Sequence, residues 1–424
     1  MVSAARQLVN WAGNVRYQAR HVRQPTSIPA LQSQVASARH VRALGTGHSF
    51  SPVADTTGDL IDLSGLPPVI DIDADRSAAK VSAGLRYGEI AARLHASGLA
   101  LRNLASLPHI SVAGAVATGT HGSGNSSGSL STAVSGLDLV TADGDLVSVG
   151  RDADPARFDG MVIALGALGI VTALTLDTVP AFSVRQFVFQ DIPLAQATEH
   201  FDEMAASGYS VSMFTDWRSR RLTQTWLKLA GDREPPPARW LGGRLADRQP
   251  HPVAGQPPAN CTAQLGQPGP WHERLPHFRP EFTPSAGQEL QSEFLVARQH
   301  AVSVLSELAT MSAELAPVTQ VSEIRTVASD DLWLSPSYQR DSAAFHFTWV
   351  PDDRAVLPVL RRVETVLAPF AARPHWGKIF ARRPDTVAGL YPRMTDFSRL
   401  ARELDPRGKF ANQMLEPYLA LCLE

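Results

Sequence analysis

The sequence predicts an α+β protein, and three observations support this fold class. The chain has 424 residues, which is longer than a single hydrophobic core usually fills, so about two or three domains are expected. Its short apolar runs alternate with polar residues and are joined by turn signals, a pattern typical of antiparallel strands. Stretches with helical periodicity separate these strands into groups. A cleft between the domains is where we expect the functional site.

The first region, residues 1–183, is predicted to be one domain with two strand-rich layers. Alternating apolar and polar residues predict strands at residues 41–44, 69–73, 79–83 and 170–176. A hairpin is predicted over residues 137–149, because Asp143-Gly144 suits a tight turn between two alternating runs. Amphipathic patterns predict helices at residues 87–97 and 155–165.

Residues 184–375 are predicted to form a substrate domain, built on an antiparallel sheet that helices flank. Prolines and glycines are so frequent between Gly231 and Gly287 that most of this stretch is expected to be irregular, either a lid or an elaborated surface loop. Helical periodicity returns over residues 289–315, and strands are predicted at residues 322–327 and 344–350. The tail, residues 376–424, is expected to return to the first domain through residues 405–410.

Composition and charge exclude several classes of partner. The formal net charge of -2 and the charged fraction of 19% provide no basic field for nucleic acid. The two cysteines, Cys261 and Cys422, have no spaced companions and are expected to be unpaired. Residues 1–11 show no signal-peptide pattern, and no run of about 18 apolar residues occurs. We therefore expect a soluble, cytoplasmic monomer without a membrane or nucleic-acid partner.

Two glycine-rich segments are candidates for gripping a phosphorylated cofactor: residues 45–49, which follow a predicted strand, and residues 118–124. Glycines let backbone N–H groups approach anionic oxygens closely, and hydroxyl groups add donors. The usual dinucleotide fingerprint is missing, because Gly45-Thr46-Gly47 is followed by His48 and not by a third, correctly spaced glycine. From spacing alone, a set of tight turns is an equally good interpretation.

His48 is the most reactive residue in the first glycine segment. Its imidazole carries a nucleophilic nitrogen, and its small neighbours leave room for a bulky partner, so it could hold a cofactor covalently. Taken alone, an ordinary surface or core histidine would be the commoner interpretation.

Two pairs of polar residues share strand faces in the second region. Glu323 and Arg325 are two residues apart, so they offer an acceptor and a fork of donors on one face. An exposed ion pair is the alternative. His346 and Thr348 also share a face, with a core role for the histidine as the alternative, and the aromatic residues expected on the opposite face are Phe345, Phe347 and Trp349.

One apparent metal motif is set aside. His272 and His277 resemble a zinc-binding pair, but they are five residues apart and Pro276 lies between them. They would not share a helix face, so no metal site is expected.

Together, several motifs resemble the vanillyl-alcohol-oxidase-type flavoproteins, and within them the alditol oxidases. The motifs cover nearly the whole chain and are residues 10–14, 44–50, 105–114, 117–124, 323–326, 346–349, 375–378 and 405–412. Some of them are shared with the related aldonolactone oxidoreductases. Residues 231–253 contribute little to the resemblance.

The resemblance implies a two-subdomain FAD-binding domain of the PCMH type, a substrate domain, and an FAD that is linked covalently to His48. It also implies that a terminal CH2OH of an alditol such as xylitol or sorbitol transfers a hydride to the flavin N5. Dioxygen then reoxidises the flavin, which yields an aldose and hydrogen peroxide. The alternatives are an aldonolactone oxidase or dehydrogenase on the same scaffold, and a flavin-binding protein without turnover.

The same resemblance assigns site residues. Arg325 and Lys378 are expected to be catalytic, because cations can stabilise a developing alkoxide and the reduced flavin. The expected substrate-binding residues are Ser106, Glu323, Arg325, His346, Thr348 and Lys378. The expected cofactor-binding residues are His48, Gly45, Thr46, Gly47, Ser49, Ser106, Ser111, Gly114, Thr118, Gly119, His121, Gly122 and Ile170.

Overall fold

A computed structural model of the chain describes residues 8–282 and 287–422. Part of the N-terminal stretch 1–11 and part of the proline- and glycine-rich segment 231–287 therefore lie outside the described residues. Cys261 is a free, buried thiol. In the described ranges, no helix combines the length and the apolar character that crossing a membrane requires.

The N-terminal region consists of short strands and helices in alternation. In chain order its strands are β1 (His21–Arg23), β2 (Val41–Leu44), β3 (Asp59–Asp62), β4 (Ile70–Asp73), β5 (Ala78–Ser82), β6 (Leu99–Ala100), β7 (Val134–Val140), β8 (Leu146–Gly150), β9 (Ile170–Asp177) and β10 (Val179–Pro180). Its helices are α1 (Ile28–Ser37), α2 (Tyr87–Ala96), α3 (Val112–Ala117) and α4 (Pro155–Val162). Ser27 caps α1 and Asp154 caps α4 through side-chain oxygens.

These strands form two main layers. A parallel sheet has the order β1-β3-β2, and an antiparallel sheet has the order β4-β5-β9-β7-β8, while β6 pairs with β10. Strand β9 alternates buried and partly exposed residues, because one face of its sheet lies on the core. The predicted hairpin over residues 137–149 is confirmed, and Gly144 adopts φ +93° in its turn.

The second region is dominated by one large antiparallel sheet. Its strands are β11 (Ser183–Pro193), β12 (Ser210–Thr215), β13 (Arg221–Ala230), β14 (Arg239–Trp240), β15 (Gly243–Leu245), β16 (Gly269–Pro270), β17 (Leu290–Ala297), β18 (Thr319–Val327), β19 (Ser342–Trp349) and β20 (Arg373–Pro374). The helices beside it are α5 (Leu194–Glu199), α6 (Phe201–Ala206), α7 (Ala301–Thr310), α8 (Ser312–Leu315) and α9 (Asp353–Leu367). The strand order is β14-β15-β11-β13-β12-β18-β19-β17-β20, with β16 beside β11.

The middle of this sheet is covered on both faces. Every residue of β19 is buried. Phe345, Phe347 and Trp349 point into a core with α7 and α9, as the alternation predicts. His346 and Thr348 point the other way, into a cavity shared with the N-terminal region. The confirmed fold is thus a mixed helix and sheet architecture with a large antiparallel sheet.

One prediction in this region is wrong. Residues 289–315 were expected to be helical, but Leu290–Ala297 form strand β17, and the helix begins only at Ala301. The error has a physical reason: β17 is buried on both faces, so it shows no strict alternation of apolar and polar residues, and it runs into an amphipathic helix. The described part of segment 231–287, residues 231–282 and 287, is largely irregular, as predicted. Helix α4 ends at Val162, three residues before its predicted end.

The tail adds helices α10 (Pro384–Ala388), α11 (Met394–Leu404) and α12 (Glu416–Leu419). Its side-chain contacts with the N-terminal region include those of Lys409 and Asn412. The Lys409 ammonium donates to the carbonyls of Val35 and Ala142 at 2.7 and 2.6 Å. The Asn412 amide donates to the carbonyl of Asp55 at 2.8 Å. The domain boundaries at residues 183/184 and 375/376 remain predictions.

Candidate active site

A cavity lies between the N-terminal region and the large sheet. Its empty volume is about 1790 Å³, part of which is open to solvent. At one end it is lined by the glycine segment 45–49, and at the other by charged side chains from β17, β18 and β19. A cavity of this size between two regions is where a cofactor and a small substrate could meet.

The glycine end is built mainly from backbone. The segment 45–49 follows β2 and is held at its far side, where the N–H of Phe50 donates to the carbonyl of Gly377 at 2.7 Å. Gly47 adopts φ +67°, a conformation that favours glycine. Within the part of the chain that the structure describes, no hydrogen bond from the backbone N–H groups of Gly47, His48 and Ser49 is present. These donors are available to a ligand's anionic oxygens, which fits a diphosphate cofactor.

His48 lies in this segment and lines the cavity. Burial, followed by the charges of His109 and Arg86, lowers its pKa to about 4. The ring of Trp11 lies beside it, with 5.2 Å between ring centroids. At neutral pH the imidazole is therefore uncharged and keeps a nucleophilic nitrogen.

The second glycine segment contributes only in part. Thr118 and His121 line the cavity, but Gly119 and Gly122 are not among its lining residues. A Cβ atom at Gly122 would lie 2.3 Å from the carbonyl oxygen of Leu104, so this glycine is required for close packing. Gly119 adopts φ +69°, a conformation that favours glycine, so backbone geometry and packing account for these two glycines.

Of the other residues that were expected to bind the cofactor, all but Ile170 line the cavity. Ile170 is fully buried in the N-terminal core and does not line the cavity. Its neighbours in sequence, Gly169 and Val171, do line it. The remaining expected residues that line the cavity are Gly45, Thr46, Gly47, Ser49, Ser106, Ser111 and Gly114.

The charged end is built by three neighbouring strands. His346 on β19 is paired with Glu323 on β18 at one side and with Glu293 on β17 at the other. Directly opposite residues in a sheet point to the same face, so these side chains converge on the cavity. The two predicted pairs, Glu323 with Arg325 and His346 with Thr348, thus lie together as expected.

Glu293, which the sequence analysis missed, is the centre of this cluster. Its carboxylate contacts the guanidinium of Arg325 at 2.5 Å, the ammonium of Lys378 at 2.9 Å and the ring of His121 at 3.4 Å. Burial alone would raise the pKa of Glu293, but the charges of Lys378 and Arg325 hold that pKa well below its usual value. Glu293 is therefore a buried anion that holds both expected catalytic cations.

Lys378 also contacts His346. Its Nζ lies 2.6 Å from His346 Nδ1, and the other ring nitrogen lies 3.1 Å from Thr348 Oγ1. Burial, followed by the charge of Lys378, lowers the pKa of His346 well below its usual value, so the ring is neutral. Burial also lowers the pKa of Lys378, while the charge of Glu293 opposes that change.

Glu323 and Ser106 complete the cluster. Glu323 lies 3.7 Å from Arg325 Nε and accepts a hydrogen bond of 2.8 Å from His277. Ser106 Oγ lies 3.4 Å from Arg325 Nη1. Burial raises the pKa of Glu323, but the charge of Arg325 and the hydrogen bond from His277 together outweigh this effect and lower the pKa below its usual range. The exposed ion pair considered for Glu323 and Arg325 is wrong, since both side chains are buried.

His277 is the second site residue that the sequence analysis missed. The sequence pairs it only with His272, as an apparent metal motif, whereas its ring faces Glu323 and the ring of His272 faces His95. Among the described residues, no group of three or more metal-ligating side chains is close enough to hold an ion.

A usable signal existed for Glu293: Gln291 and Glu293 repeat the two-residue spacing of the other polar pairs.

Comparison with known proteins shows which family this chain belongs to. Residues 19–150 match the FAD binding domain family, and residues 288–418 match the D-arabinono-1,4-lactone oxidase family. An alditol oxidase from Streptomyces sp. is 51% identical over 97% of this chain and 99% of that protein. The chain belongs to the alditol oxidase family of FAD-dependent oxidoreductases.

More distant relatives carry related activities on lactones. An L-gulono-1,4-lactone dehydrogenase from Mycobacterium tuberculosis is 28% identical over 95% of this chain and 96% of that protein. Among solved structures, a cholesterol oxidase from B. sterolicum superimposes with a TM-score of 0.78 at 16% identity, over 97% of this chain and 96% of that chain. This last similarity shows the shared fold alone, which is the PCMH-type fold that the motifs implied.

Proposed function

We propose that this protein oxidises the terminal primary alcohol of alditols such as xylitol and sorbitol to the aldose, and that dioxygen is reduced to hydrogen peroxide. The observation that carries the proposal is the convergence of Arg325 and Lys378 on Glu293, in the wall of the cavity that His48 also lines. The family and the alditol oxidase relative support the same reaction.

The charge balance of the site suits an uncharged substrate. Two cations, Arg325 and Lys378, face two carboxylates, Glu293 and Glu323, so the formal charges of the four groups cancel. An anionic sugar acid would upset this balance, whereas a polyol offers hydroxyl groups that both donate and accept hydrogen bonds. The cluster is therefore matched to polyhydroxylated neutral molecules.

Hydrogen-bonding groups for such a substrate surround the cations. Because Lys378 donates to His346 Nδ1, the neutral ring carries its proton on the other nitrogen and donates it to Thr348 Oγ1. The hydroxyl of Thr348 is then free to donate to a substrate oxygen. Ser106 offers a further hydroxyl from the opposite wall.

For oxidation, the substrate carbon must lose a hydride and its hydroxyl must lose a proton, and both hydrogens end in the hydrogen peroxide that forms from dioxygen. FAD, when bound, supplies the hydride acceptor and transfers the electrons to dioxygen. Arg325 and Lys378 stabilise negative charge on the substrate oxygen as its proton leaves, and a preorganised donor of this kind contributes about 3–4 kcal/mol. Burial of the cluster excludes water, which strengthens these interactions.

His48 is proposed to carry the FAD through a covalent bond to its isoalloxazine. Three features support this: the imidazole is neutral, it lines the cavity, and the N–H groups beside it are available to the diphosphate. Ser111, Gly114 and Thr118 would contact the rest of the cofactor.

The test is peroxide release by the purified protein with xylitol, sorbitol and galactonolactone in parallel. We expect peroxide with the two alditols at rates far above that with the lactone. The aldonolactone alternative is supported by the match over residues 288–418, and a preference for the lactone would establish it in place of our proposal. A yellow protein that oxidises none of the three would favour the flavin-binding alternative.

A further inference from the structure

Lys228, on β13, is a buried charge that the proposed mechanism does not use. It is 1% exposed, and its ammonium contacts three acceptors: the carbonyl oxygen of Leu275, that of Pro276 at 3.3 Å, and Nδ1 of His277 at 3.1 Å. An ammonium has three N–H donors, whereas a neutral amine has two. The protonated form alone satisfies all three acceptors. Burial lowers the pKa of Lys228 to about 7, and the charge of Glu323 opposes this change.

His277 connects Lys228 to the charged end of the cavity. Because its Nδ1 accepts from Lys228, its proton lies on Nε2, which donates to Glu323 at 2.8 Å. Burial, followed by the charge of Lys228, lowers the pKa of His277 to about 4, so the ring is neutral at neutral pH. The opposite tautomer would place a nitrogen lone pair against the carboxylate of Glu323. Lys228 therefore determines which nitrogen faces that carboxylate.

The same turn, residues 275–278, also holds Ser106. The backbone N–H groups of His277 and Phe278 both donate to the carbonyl of Ser106, at 3.0 and 3.2 Å. His277 and Phe278 line the cavity, whereas Lys228 does not. The turn thus touches two proposed substrate-binding residues, Ser106 and Glu323, and Lys228 anchors the turn from behind.

We infer that Lys228 is a positioning residue, which anchors the 275–278 turn and thereby orients Glu323 and Ser106 toward the polyol. The inference rests on the proposed function. The proline- and glycine-rich segment would thus contribute to substrate binding, because its residues His277 and Phe278 line the cavity.

The kinetic test is Lys228→Met in the FAD-loaded enzyme with xylitol. We expect KM to rise by about tenfold, the effect of losing one well-oriented hydrogen bond. We expect kcat to stay within about threefold of the parent value, because Lys378 and the flavin end are untouched. The flavin content per protein should be unchanged. An unchanged KM, or a fall in kcat that follows lost flavin, overturns the inference.

A spectroscopic test does not depend on turnover. In protein with 15N-labelled histidines at pH 6, the signal of His277 is assigned by its loss in His277→Gln. We expect the Nε2–H tautomer in the parent protein, and a shift toward the Nδ1–H tautomer in Lys228→Met. A parent protein with the Nδ1–H tautomer overturns the inference. Absence of polyol oxidation in the parent protein, in contrast, refutes the proposed function. The tautomer of His277 does not depend on turnover, so its measurement still tests the contact with Lys228.

Should Lys228→Met fail to fold, a pair of variants at His277 carries the test. Glutamine keeps an N–H donor that can reach Glu323, whereas leucine removes it. We expect the KM for xylitol to be about tenfold higher in His277→Leu than in His277→Gln, because only glutamine keeps a hydrogen bond to Glu323. Equal KM values in the two variants overturn the inference.

Discussion

The two ends of the cavity are built on different principles. The glycine end uses backbone groups that are contiguous in sequence, residues 45–49, and its one reactive side chain, His48, is neutral. The charged end uses side chains from separate strands and loops, held together by Glu293. The proposed cofactor attachment is thus a local property of the chain, whereas the proposed activation of the alcohol depends on tertiary contacts. Changes at the two ends should therefore affect different measurements.

The largest effect is expected at the charged end, for Lys378→Met. Removal of the ammonium that faces the substrate oxygen should lower kcat by at least about 100-fold, as for loss of one preorganised donor. Flavin content should stay the same, because the glycine end is unaffected. Steady-state peroxide release and flavin absorbance measure both quantities. Lys80→Met, at a partly exposed ion pair with Asp138, is the control and should behave like the parent. Near-normal turnover of Lys378→Met would show that the lysine is not catalytic.

The second-largest effect is expected for Glu293, the carboxylate at the centre of the charged cluster. Glu293→Gln leaves Lys378 and Arg325 close together without their shared counter-ion, so we expect kcat to fall by about 10- to 100-fold. The pKa of Lys378 should also fall, because Glu293 raises it. Stopped-flow flavin reduction measures the rate of the chemical step. Glu364→Gln, at another buried carboxylate, should leave that rate unchanged. Equal rates of flavin reduction in the two variants would show that Glu293 has no role in catalysis.

The third effect belongs to the glycine end. In His48→Ala, acid precipitation should release all the yellow colour, whereas the parent protein should keep it. We expect turnover to fall by about tenfold, with little change in Tm because His48 lies on the cavity wall. The flavin absorbance of the acid pellet and of the supernatant measures this difference. The control is His21→Ala, at a surface ion pair, which should behave like the parent. Colour lost equally from the parent would disprove the covalent bond.

The smallest expected effect is a fall of kcat at alkaline pH, which reports the pKa of Lys378. Burial lowers the pKa of Lys378, so its charge is present at low pH and is lost as pH rises through that lowered pKa. Turnover should therefore fall on the alkaline side, with a midpoint below the usual lysine value. In Lys378→Arg the charge persists, so any remaining activity should show no such fall. The measurement is the pH profile of kcat, and identical profiles for parent and variant would contradict this assignment.

The same contrast explains what the sequence could predict. The hairpin over residues 137–149, the glycine segment and the polar faces of β18 and β19 are short-range patterns, and the structure bears them out. Glu293 was missed because its strand is buried on both faces and was taken for part of a helix. The contact of Lys228 with His277, and that of His277 with Glu323, depend on how a long irregular segment packs, which no local pattern encodes.

Anaerobic mixing of the purified, FAD-loaded protein with xylitol tests most directly whether the two ends serve one reaction. If the flavin near His48 accepts a hydride from an alcohol held by Arg325 and Lys378, its yellow absorbance should bleach at a rate at least equal to kcat, and admission of air should restore the colour. A flavin that stays yellow with xylitol and with sorbitol, in fully loaded and folded protein, would contradict the account.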